Sequence, residues 1–131
     1  MEIKKVEIYS RKKPRIGGST DVETSQHVII WDDGGVYFTA SNDLYEERNL
    51  RTIDKNIGTN YAYDIMMKLA NYYLDDKAWG VVPGMGTYRL IITDSEHTEH
   101  WFYGSLSGAH KALSDYIAWR VGIPDVMLFG E

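Results

Sequence analysis

The chain has 131 residues, contains no cysteine and carries a formal net charge of −5. This length is typical of one domain that buries a single core without a disulfide or structural metal, so we expect one domain over residues 1–131. The lack of cysteine excludes a disulfide framework, a thiolate zinc site and a cysteine nucleophile. No apolar stretch approaches the roughly 18 residues that span a bilayer. The composition therefore predicts a cytoplasmic protein with no membrane partner.

Charge is distributed unevenly along the chain. Residues 1–20 hold six basic residues against two acidic ones, whereas residues 21–131 hold 17 acidic residues against eight basic ones. An acidic body attracts basic proteins and repels nucleic acid, and a basic segment can contact phosphate or an acidic partner. Moderate acidity also keeps a small domain soluble, which explains the charge without any partner.

The N-terminal part predicts three strands. Residues 2–10 form the first, which we expect to pair with the next strand across a long loop, residues 11–20. Residues 27–31 and 36–40 flank Asp32-Asp33-Gly34-Gly35. Asp and Gly tolerate the positive φ angles of tight turns, so these two segments predict a β-hairpin.

After the first hairpin, two segments have apolar residues at helical spacing. Residues 41–52 predict a short helix capped by Ser41 or Asn42. A stronger helix, capped by Thr59 or Asn60, is expected to run to about Asp76. The residues at helical spacing that should form its buried side are Ala62, Ile65, Met66, Leu69 and Tyr73.

The last third predicts a second hairpin and a helix. Residues 87–94 and 98–105 are rich in β-branched and aromatic side chains, and the short polar segment 95–97 separates them. Both strands have apolar groups on each face, which is typical of central strands. A helix over 108–121 should end at Gly122, and residues 125–130 predict a last short strand or a docked tail. The expected buried residues of the helix over 108–121 are Ala109, Ala112, Leu113, Tyr116, Ile117 and Val121.

These elements predict an α+β fold. The order is βββ-α-ββ-α, with a possible final strand, in a mainly antiparallel sheet of five or six strands with two principal helices.

Three histidines near the C-terminus raise the question of a metal site. Imidazole and carboxylate are zinc ligands, and Asp94, Glu96 and Glu99 lie close to the histidines in sequence. His97 and His100 are three residues apart across a turn, and this spacing does not bring their rings together as i, i+4 spacing on a helix would. We therefore assign no cofactor, and a small metal-dependent enzyme stays an alternative. The histidines concerned are His97, His100 and His110.

Segments 88–94, 100–106, 113–117 and 123–129 carry a resemblance. Together they resemble small uncharacterised proteins of Gram-positive bacteria, for which no catalytic residues are established, so no site is implied. The chain departs from them at Ser95-Glu96-His97, where such proteins more commonly have a turn containing glycine. In general character only, as a small acidic chain without enzyme motifs, it is similar to the anti-CRISPR inhibitors of mobile elements.

The sequence favours a non-enzymatic protein-binding module. The likeness to anti-CRISPR inhibitors implies a basic, nucleic-acid-binding protein as its partner, such as a CRISPR effector nuclease, bound through acidic and aromatic surface. The expected contacts are Asp32, Asp33, Glu46, Glu47, Tyr72, Asp75, Asp76 and Trp79. An alternative is contact with nucleic acid through the basic residues of the first loop, Arg11, Lys12, Lys13 and Arg15.

Overall fold

The computed structural model describes residues 2–13, 18–74 and 84–130. These residues form one antiparallel sheet of six strands and two α-helices, which confirms the predicted α+β class. The strands are β1 (Ile3–Arg11), β2 (Ser25–Trp31), β3 (Gly35–Asn42), β4 (Arg48–Asn56), β5 (Thr87–Asp94) and β6 (Glu99–Ser105). The helices are α1 (Thr59–Tyr73) and α2 (Lys111–Val121), and a single 3₁₀ turn, Gly108–His110, precedes α2.

The N-terminal strand lies inside the sheet. The strand order is β4-β3-β2-β1-β5-β6, and each neighbouring pair is antiparallel. β1 pairs with β2, as predicted, and with β5 on its other side. The connection that contains α1 therefore carries the chain from the β4 edge past three strands to β5.

Both helices pack on one face of the sheet. Alternate strand residues such as Val6, Phe38 and Leu90 share a single buried cluster with the inward side chains of α1 and α2. All five residues predicted to form the buried side of α1 are buried, because they recur at helical spacing. None of the helices in the described part of the chain is long and apolar enough to cross a membrane.

The opposite face of the sheet is not covered by α1 or α2, and we call it the open face. Ile91 lies there and is buried, yet it does not belong to the main core cluster. The residues that strand alternation and register place on this face include Lys5, Glu7, Tyr9, Arg11, Ser25, His27, Ile29, Trp31, Tyr37, Thr39, Thr52, Asp54, Thr87, Arg89, Ile91, Thr93, Glu99, Trp101 and Tyr103.

Both predicted hairpins are present, but the second lies off centre. The β2–β3 turn falls at residues 32–34 and the β5–β6 turn at residues 95–97. The expectation of two central strands in the second hairpin is wrong, since β6 is an edge strand. Its apolar groups face the helices on one side and the open face on the other.

The short helix predicted over residues 41–52 is wrong. This segment contains the end of β3, a turn and the first half of β4, so four strands precede α1 instead of three. Asn42, the last residue of β3, is buried, and its side-chain amide donates to the backbone oxygens of Ser19 and Val22, so it anchors the end of a strand and does not cap a helix. The β-branched pair Thr52 and Ile53 then favours a strand.

Helix α1 starts differently from the prediction. Its N-cap is Gly58 at φ 87°, so neither Thr59 nor Asn60 caps it. It runs to Tyr73, and the predicted end near Asp76 lies outside the described residues.

Helix α2 also differs at its start. Ala109 belongs to the 3₁₀ turn, and both Ala109 and Ala112, which we expected to be buried, are exposed. The buried side instead follows Leu113, Ile117 and Val121. Gly122 ends the helix at φ 64°, as predicted.

Residues 123–130 form a docked tail rather than a final strand. The backbone oxygen of Leu128 accepts a hydrogen bond from Ser10 Oγ at 2.6 Å. Phe129 is fully buried against the rings of Tyr73 and Tyr88. The tail therefore closes the core between the sheet and the helices.

Candidate functional site

The predicted acidic contacts do not form one surface. Asp32 and Asp33 lie exposed in the β2–β3 turn, whereas Glu46 and Glu47 lie exposed beyond the other end of β3. An eight-residue strand separates the two pairs, which is roughly 25 Å at 3.3 Å per residue. Asp75, Asp76 and Trp79 lie outside the described residues.

Tyr72, the remaining predicted contact, lies on the helix side of the molecule. It is partly buried, and its hydroxyl hydrogen-bonds His110 Nδ1 at 2.7 Å. Its ring packs edge-on against Tyr73. Tyr72, near the end of α1, therefore packs against the core.

The basic residues of the first loop are partly neutralised. Arg11 Nε donates to Asp43 Oδ2 at 2.8 Å, so its charge is compensated within the protein. Lys12 and Lys13 line a groove that also includes Gly84 and Met85. Arg15 lies outside the described residues.

The three C-terminal histidines have separate environments. His100 Nε2 lies 3.1 Å from Asp94 Oδ2, and this hydrogen bond lowers the pKa of Asp94. His110 lies between Tyr72 and Tyr88, and His97 is exposed in the β5–β6 turn. Within residues 2–13, 18–74 and 84–130, no group of three or more possible ligands could hold a metal ion.

The open face carries four exposed aromatic side chains. Trp31 and Tyr37 lie on β2 and β3, and Trp101 and Tyr103 lie on the β6 edge. Each is between 36% and 43% exposed. Strand alternation turns these four side chains outward, because their neighbours along each strand, such as Ile30 and Phe38, enter the core.

A stack of side chains crosses the centre of this face. The Arg89 guanidinium lies 4.1 Å from the ring centroid of Tyr9 and 5.2 Å from that of Trp101. Tyr9 in turn stacks on His27, with centroids 3.8 Å apart and planes inclined by 14°. The stack spans β6, β5, β1 and β2, and cation–π contacts of this kind hold a side chain in place.

Charges beneath the aromatic side chains are largely buried. Glu7 is only 9% exposed, and its two oxygens lie 3.6 Å from Lys5 Nζ and 3.5 Å from His27 Nε2. Burial lowers the pKa of His27, and Glu7 opposes this shift without reversing it. Burial also raises the pKa of Tyr9. Burial of the His27 ring therefore favours its neutral form.

Three buried polar atoms of this face make no hydrogen bond with any described group. They are His27 Nε2, Arg89 Nε and Thr93 Oγ1. The 3.5 Å separation from Glu7 is short enough for an ion pair but does not give His27 Nε2 a hydrogen bond. Buried polar atoms are normally paired. These three atoms are therefore exceptions to that rule among the described residues.

A groove of about 470 Å³ lies at one end of the open face. Tyr9, His27, Arg89 and Tyr103 line it together with Glu47. Glu47 is therefore a predicted contact that the fold places beside the open face.

Most residues of this site were missed by the sequence prediction. The alternation Glu99, Trp101, Tyr103 was visible along β6. The sequence pattern did not show which residues of the other five strands lie beside these three. No protein-family model matches this chain, and comparison with curated proteins gave no match.

Proposed function

We propose that this protein is a non-enzymatic protein-binding module and that the open face of its sheet is the contact surface. The observation that carries the proposal is the set of four exposed aromatic side chains around the stack of Arg89 on Tyr9. Trp, Tyr and Arg are the residues in which the binding energy of interfaces concentrates. Exposed apolar side chains grouped on one surface are typical of an interaction site.

The net charge of the whole chain favours a protein with a basic surface as the partner. The open face itself carries three cations, Lys5, Arg11 and Arg89, against the three acids Glu7, Asp54 and Glu99. Stacking surfaces for single-stranded nucleic acid combine aromatic side chains with a positively charged groove, and this face lacks the positive excess. The acidic body, residues 21–131, adds long-range attraction for a basic protein.

A finer form of the proposal is that the partner binds nucleic acid and is inhibited, in the manner of anti-CRISPR inhibitors acting on an effector nuclease. The net charge of −5 and the aromatic contact surface support it. By occupying a basic surface, the module would compete with nucleic acid for the same site.

The contact surface is tested by removing aromatic side chains from one face at a time. The double variant W31S/Y37S changes the open face, and the control Y63S/W119S removes two aromatic side chains that are 63% and 68% exposed on the helices. We expect the open-face variant to lose at least about 2 kcal/mol of binding free energy, as interface aromatic residues do. The helix variant should bind like the wild type.

The measurement starts with capture from the native host's lysate by all three proteins. A protein that the wild type and Y63S/W119S retain, and that W31S/Y37S does not, is then purified and titrated by calorimetry. Equal affinity of the two double variants would overturn the assignment of the open face.

The sign of the partner's charge is tested by reversing acidic residues near the open face. E47K/D54K and the control D64K/D115K, whose residues lie on the helices, change the net charge equally. We expect E47K/D54K to weaken binding and to make its dependence on salt shallower, since contacts between opposite charges are lost. If both variants weaken binding equally, only the overall charge matters and the acidic contact is refuted.

A further inference from the structure

The two edges of the sheet are built differently. β4 carries two arginines, one aspartate and one lysine along its nine residues. β6 carries Glu99 as its only Asp, Glu, Lys or Arg, followed by His100-Trp101-Phe102-Tyr103. Charged side chains on an edge strand prevent edge-to-edge pairing. The β4 edge is thus protected, and the β6 edge lacks this protection.

The register shows which backbone groups of β6 point away from the sheet. Asp94 N donates to Thr98 O, and Leu106 N donates to Gly86 O. Hydrogen-bonded positions alternate along an antiparallel ladder, so residues 100, 102 and 104 bond β5. The N–H and C=O groups of Glu99, Trp101 and Tyr103 consequently point outward.

We propose that β6 pairs antiparallel with β6 of a second copy of this chain, joining two six-stranded sheets into one. A two-fold axis through Phe102 sets Trp101 of each copy opposite Tyr103 of the other. Both residues present outward backbone groups, so each pair exchanges two hydrogen bonds. The interface uses the same strand from both copies, as a two-fold dimer requires.

The side chains of β6 fit this register. Each Trp101 faces a Tyr103 on the open face, and aromatic cross-strand pairs stabilise a ladder. Glu99 lies opposite Ser105 of the second copy, so no like charges face each other across the axis. The open faces of the two copies become continuous. This inference does not rest on the proposed function, because it concerns only the β6 edge.

Size-exclusion chromatography with light-scattering detection measures the molar mass in solution and so tests whether the dimer forms. Tyr103→Pro removes an outward N–H from β6 and leaves the β5 ladder intact. The control Thr52→Pro does the same at the other edge. There Ile57 N bonds Gly34 O, so the alternation turns Thr52 and Asp54 outward. We expect a dimer for the wild type and Thr52→Pro at near-millimolar concentration, and a monomer for Tyr103→Pro.

A monomeric wild type, a folded Tyr103→Pro that still dimerises, or a Thr52→Pro that is equally monomeric would each overturn the proposal. Hydrogen exchange of the wild type decides the matter if Tyr103→Pro fails to fold. The amides of Trp101 and Tyr103 should exchange at least about tenfold more slowly at high than at low protein concentration. The amides of Thr52 and Asp54 should not change. Equal exchange of Trp101 and Tyr103 at both concentrations would refute the dimer.

Discussion

Gly104 provides the space that the ring of Tyr88 occupies on the neighbouring strand. A Cβ added at Gly104 would lie 2.5 Å from Tyr88 Cε1 and hydroxyl oxygen. The Tyr88 hydroxyl accepts a hydrogen bond from Tyr73 at 2.8 Å, and burial raises the pKa of both phenols. Phe129 packs on both rings. One glycine therefore permits the aromatic packing that joins α1, β5 and the C-terminal tail.

We expect Gly104→Ala to lower the free energy of unfolding by about 1–3 kcal/mol, the usual cost of overfilling a packed core. Urea titration followed by circular dichroism measures this value. Gly108→Ala is the matched control, since a Cβ there meets nothing within 4 Å. The cost of Gly104→Ala should be smaller when it is measured in a Tyr88→Leu background, where no ring occupies that space. Equal stability of the two alanine variants would show that the ring of Tyr88 moves aside without cost.

Among the strands, helices and turns, the sequence predicts best those that a short local pattern of residues determines. Both hairpins were predicted because Asp32-Asp33-Gly34-Gly35 and residues 95–97 are short polar turns between apolar segments. The buried side of α1 was predicted because five residues recur at helical spacing. β4 was missed because half of it is polar and exposed, with a burial pattern that alternates only from Arg51 onward.

The order of strands depends on contacts that no local pattern contains. β1 lies between β2 and β5, whose sequences begin well apart along the chain. The stack of Arg89 on Tyr9, and of Tyr9 on His27, needs the register of three strands at once. Each of these residues alone is an ordinary polar residue on a strand. The acidic residues could be predicted as exposed, but not as lying at opposite ends of β3.

At the scale of the whole molecule, two histidines couple folding to pH. Burial lowers the pKa of His110 and is the main cause of the lowered pKa of His27. They lie on opposite faces of the sheet, one under the open face and one beside the core. As the pH falls through the unfolded value of about 6.5, the unfolded chain binds these protons before the folded protein does. Stability is thus complete above about pH 6.5 and decreases as the pH falls toward the folded pKa values.

We therefore expect the free energy of unfolding to be lower at about pH 5.5 than at about pH 7.5, where both rings are neutral in either state. His27→Gln and His110→Gln should each reduce this difference, because glutamine binds no proton in this range. The double variant should reduce it further, since the two residues make no contact and their effects should add. Urea titrations of the four proteins at both pH values measure the difference. A double variant that loses as much stability on acidification as the wild type would assign the pH dependence to other groups.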